Sequence, residues 1–62
     1  MTSSAQLSSV RTSLEELTAK VSGMAEQLSG TERDDVAVAL FDVERALAAA
    51  GRRLDRVVEQ LR

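Results

Sequence analysis

The chain has no cysteine, no histidine and no proline, and each absence removes a class of protein. Without cysteine there is neither a disulfide framework nor a thiolate metal site. Without histidine the commonest metal ligand and the commonest general base near neutral pH are both missing. Tyr and Trp are absent too, which leaves Phe41 as the one aromatic side chain a binding site could use. No apolar run approaches the roughly 20 residues of a membrane span. The start, Met1-Thr2-Ser3-Ser4, lacks the basic residues and apolar stretch of a secretory leader. The expected location is the cytoplasm, away from membranes. Eight basic residues stand against ten acidic ones, a net charge of −2, so no strong overall field draws the chain to nucleic acid or to a charged surface.

What is present points to helices. Ala, Leu, Val, Glu and Arg abound, and 62 residues suffice for one small domain, 1–62. In the first half the large apolar residues are Leu7, Val10, Leu14, Leu17, Val21, Met24 and Leu28, spaced alternately by 3 and 4. This is a strict heptad with Leu7, Leu14, Val21 and Leu28 at position a and the others at d. Ser3 with Gln6 reads as a capping box, so the first helix is expected over about 4–28.

Ser29-Gly30-Thr31 reads as the turn, with Gly30 suited to a left-handed position just past a helix end. Thr31 is the expected N-cap of the next helix, with Ser29 competing. Glu32, Asp34 and Asp35 then place negative charge where the helix dipole favours it. The second stripe is Val36, Leu40, Val43, Leu47, Ala50, Leu54, Val57 and Leu61. Gly51 interrupts the composition but not the phase, so a single helix is expected over about 32–61.

Folding the chain at Gly30 pairs each a residue with a d residue, from Leu28 with Val36 to Leu7 with Val57, and every pair sums to 64. The expected fold class is all-α, a coiled-coil-like antiparallel two-helix hairpin. One seam leaves each helix mostly wet. Chains this small, with no disulfide or metal to staple them, reach stability by association. The simplest expectation is a homodimer forming a four-helix bundle, with a different helical protein as the other possible partner. In architecture alone this resembles the small dimeric hairpin bundles of the Rop type. No motif is shared with them, and no RNA-binding role is carried over.

The second helix has more apolar surface than a seam needs. Ala37 and Val58 lie at e, Ala39 and Ala46 at g, and Phe41 and Ala48 at b. A helix apolar on several sides is usually buried on several sides. These six residues are the expected partner interface, with Phe41 as its anchor.

The residues offer little chemistry. The serines of the first helix have no His or Cys to activate them, the adjacent acids Glu15–Glu16 and Asp34–Asp35 diverge on a helix, and the core positions are aliphatic. No enzymatic activity, metal or cofactor is expected. Residues 32–44 hold five acids and one Arg, while 45–62 hold five Arg and two acids. That gradient complements the helix dipole. Its functional alternative is a basic patch of Arg52, Arg53 and Arg56 for nucleic acid, diluted by Asp55 and Glu59 and lacking an aromatic for base stacking. The function expected from the sequence is a non-enzymatic helical-hairpin interaction module: an adaptor, assembly subunit or small regulator. A small nucleic-acid-binding regulator is the alternative.

Overall fold

Ser3 opens the first helix as its spacing to Gln6 predicts. The Gln6 backbone N–H donates to Ser3 Oγ at 3.1 Å, and the Ser3 N–H donates to Gln6 Oε1 at 2.9 Å. The computed structural model describes residues 3–61, leaving Met1, Thr2 and Arg62 outside, and folds them into two α-helices. Helix α1 spans Ser4–Leu28 and helix α2 spans Asp34–Gln60. They pack side by side as a rod with extents of 47 × 14 × 14 Å. Helix α2 runs unbroken through Gly51.

The turn is longer than the sequence pattern implies, and helix α2 starts at Asp34 rather than at residue 32. Thr31 does not cap it. Its hydroxyl donates to the Leu28 carbonyl and accepts from the Arg33 N–H, while its carbonyl accepts from the Asp34 N–H. Thr31 is therefore used to close the turn, and the cap position falls to Arg33, whose side chain makes no capping bond to the helix N-terminus. Gly30 takes φ +77°, the left-handed conformation foreseen for it. Its N–H donates to Asp34 Oδ1 at 2.7 Å, which ties the turn to the first turn of α2.

The seam itself departs from the expected one by a rotation. Every expected layer contains one d residue, and most of these stand in the open. Val10 is 51% exposed, Leu17 53%, Met24 53%, Val43 45% and Val57 39%. In the d row only Val36 and Ala50 are half-buried. The e row is covered instead: Ala25, Ala37, Gly51 and Val58 are buried, and Arg11, Thr18 and Glu44 are half-buried. The a residues from Leu7 to Leu54 are half-buried on both helices. Each helix thus turns the line between a and e toward its neighbour, not the line between a and d. The reason is side-chain size. Ala25 and Ala37, both fully buried, allow the two backbones to approach along the e row, which the bulky d row does not, and Gly51 leaves room there for the Arg11 guanidinium.

The level of the pairing holds even though its rotation does not. A sum of 64 sets Arg11 level with residue 53. Its guanidinium lies over Gly51 and bonds Asp55, one on either side of that level. Where a Cβ would stand on Gly51, the Arg11 Cζ is only 2.8 Å away. The missing side chain is what lets the guanidinium lie flat on α2.

Candidate functional site

Because the helices are antiparallel and meet through a and e, they present like positions on the same side. One side of the rod carries the b and e positions of both helices, and the other carries d and g. The two sides differ in chemistry.

The b/e side is a shallow groove of about 360 Å³ lined by Arg11, Glu15, Thr18, Ser22, Glu44 and Arg52 among others. Its fixed element is the Arg11 Nε–Asp55 Oδ1 ion pair at 2.9 Å. Thr18 Oγ1 donates to the Leu14 carbonyl one turn back, at 2.7 Å, so this half-buried hydroxyl is satisfied within its own helix. No buried side-chain nitrogen or oxygen among the described residues lacks a partner. Among the same residues no three acids come together as a candidate metal site. Glu15 faces the groove while Glu16 points elsewhere. The groove is a polar surface with no convergent reactive groups.

The d/g side is apolar. Val10, Leu17 and Met24 run along it on α1, and Val43, Ala50 and Val57 on α2. The g positions that flank them are Ser13, Lys20 and Gln27 on one helix and Ala39, Ala46 and Arg53 on the other, so Lys20 and Arg53 are the only charges at d or g among the described residues. No helix among the described residues is long and apolar enough to cross a membrane.

The six residues expected to form a partner surface are divided among three settings. Ala37 and Val58 are buried inside the hairpin. Phe41 and Ala48 are half-buried on the b/e side. Ala39 and Ala46 are exposed at g, beside the apolar face. The three arginines are likewise separated. Arg52 lines the groove, Arg53 stands on the rim of the apolar face, and Arg56 at c points away from both. Arg62, the last of the basic run, lies outside the described residues. The surface that the heptad pattern does not reveal is the d face, because the same residues serve equally well as a seam. The signal for it is the small-residue e row, Ala25, Ala37 and Gly51, which competes with d for the intrachain contact.

Neither a protein-family model, nor a curated protein, nor a solved structure matches this chain.

Proposed function

We propose that the chain is a non-enzymatic helical-hairpin protein–protein interaction module, an adaptor, assembly subunit or small regulator. It works by burying its d face against other helices, first of all by self-association into a four-helix bundle. The observation that supports this is the row of large apolar side chains left in the open, Val10, Leu17, Met24, Val43 and Val57, all on one side and flanked by small or polar residues of which only Lys20 and Arg53 are charged. Single exposed apolar residues need no explanation, as at Val38 on the back of α2. A contiguous row marks an interaction surface. The nucleic-acid alternative has less behind it, since Arg52, Arg53 and Arg56 fan out in three directions and Arg11 already engages Asp55.

A photo-crosslinking phenylalanine analogue tests the reading. Introduced at Leu17, it is expected to give protein adducts, in purified protein or in host cells. Introduced at Glu16, exposed but off the d face, it is expected to give none. Failure to form any adduct from Leu17 in either setting would refute an interaction role for this face.

A further inference from the structure

We propose that the d face is covered by a second copy of this chain, stacked face to face so that the two turns lie at opposite ends of the bundle. The proposal rests on the interaction reading above, commits it to a second copy and adds the orientation of that copy.

The surface area fits one further copy. A monomeric protein of 6.7 kDa is expected to expose about 3,900 Å². The hairpin exposes 4,644 Å², a surplus of about 700 Å². A standard stable interface covers about 800 Å² on each partner. Part of that surplus belongs to the elongated 47 × 14 × 14 Å shape; the d face, which holds Val10, Leu17, Met24, Val43 and Val57, is where large exposed apolar side chains could take up an interface of this size.

Charge decides between the two ways of stacking identical faces. Within α2, residues 34–44 carry Asp34, Asp35, Asp42 and Glu44 and no cation, while 45–60 carry Arg45, Arg52, Arg53 and Arg56 against Asp55 and Glu59. With the turns at opposite ends, α2 lies antiparallel on the second copy's α2. The acids nearest the stacked face, Asp35 and Asp42 at c, then come toward Arg53 at g and Arg56 at c of the second copy, twice over by symmetry. With the turns at the same end, Glu32, Asp34 and Asp35 of both copies gather together with only Arg33 of each to offset them, and the net like charge opposes assembly. The central residues agree. Leu17 and Ala46 are the d and g residues nearest the midpoints of their helices. In the first arrangement each sits beside its own copy at the twofold axis, where Ala46 lets the two α2 helices come close.

The chain has no native cysteine, so single cysteines report the arrangement cleanly. Light scattering of the wild type is expected to give twice the chain mass. Leu17→Cys is expected to oxidise to a covalent dimer, because a disulfide needs Cα atoms within about 7 Å. Ala46→Cys is a second reporter of the same axis should the first variant fold poorly. A spin label on Ser29→Cys, at the turn, is expected to show a pair distance of about 40 Å, the length of a 27-residue helix. A distance under about 20 Å, two helix diameters, would place the turns together and overturn the orientation. A monomer mass at every concentration would overturn the second copy. If Leu17 nonetheless crosslinks to a different chain, the interaction reading survives and this proposal alone falls.

Discussion

Replacing Gly51 with alanine sets two effects of known size against each other. A glycine in a helix interior costs about 1 kcal/mol relative to alanine, and Gly51 lies well inside α2. Against that gain stands a steric conflict. A Cβ at this position would be 2.8 Å from both Cζ and Nη1 of Arg11 and 3.2 Å from Nη2. The guanidinium must therefore move, and it is the free end of a long side chain, not backbone. What moves with it is the bond to Asp55. That pair is only partly shielded, with side chains 28% and 56% exposed, and partly exposed pairs contribute about 0.2–1 kcal/mol. The helix gain equals or exceeds the ion-pair loss. Gly51→Ala is expected to range from neutral to about 0.8 kcal/mol more stable. In an Arg11→Met background there is no guanidinium to displace, and the same substitution should give the full gain of about 1 kcal/mol. Urea unfolding followed by far-ultraviolet circular dichroism, on all four chains at one protein concentration, measures the coupling as a double-mutant cycle. A loss of more than about 1 kcal/mol on Gly51→Ala in both backgrounds would refute the reasoning, because an obstacle that persists without the guanidinium is not the arginine.

Three further outcomes follow from the same geometry. Gly30→Ala forces a Cβ into the left-handed region at φ +77°, and is expected to cost about 1 kcal/mol or more in the same unfolding assay. Ala25→Leu overfills the e row at its fully buried position and is expected to destabilise by about 1–3 kcal/mol, whereas Ser13→Leu, at g, should not. Phe41→Glu alters the b/e side, so it should lower the unfolding midpoint yet leave the mass measured by light scattering unchanged; a halved mass would move the interface to Phe41.

The amino-acid pattern reveals the helices, the antiparallel pairing, its level and the role of Gly30, because each depends on local rules: heptad phase, a capping box and a residue able to take positive φ. It misplaces the start of α2, since Thr31 satisfies cap and turn rules alike and only the bonds to Leu28, Arg33 and Asp34 show which one prevails. It also misplaces the seam by less than a quarter turn. Heptad spacing identifies an apolar stripe but does not say which edge of it faces the neighbour. That choice rests on how closely the backbones can approach, a property of Ala25 and Ala37 together across the two helices, and on the room Gly51 leaves for Arg11. The expected partner surface at Phe41 starts from the same premise, that the d row is covered within the hairpin, whereas Val10, Leu17, Met24, Val43 and Val57 stand exposed.

No large side chain among the described residues is fully buried within a single hairpin. In the dimer proposed above, a fold with so small an interior would owe part of its stability to the copy lying against its open face, so mass action would enter. Abundance would then act as a switch: chains above a threshold concentration would assemble and persist, and chains below it would open more often and be exposed to proteases.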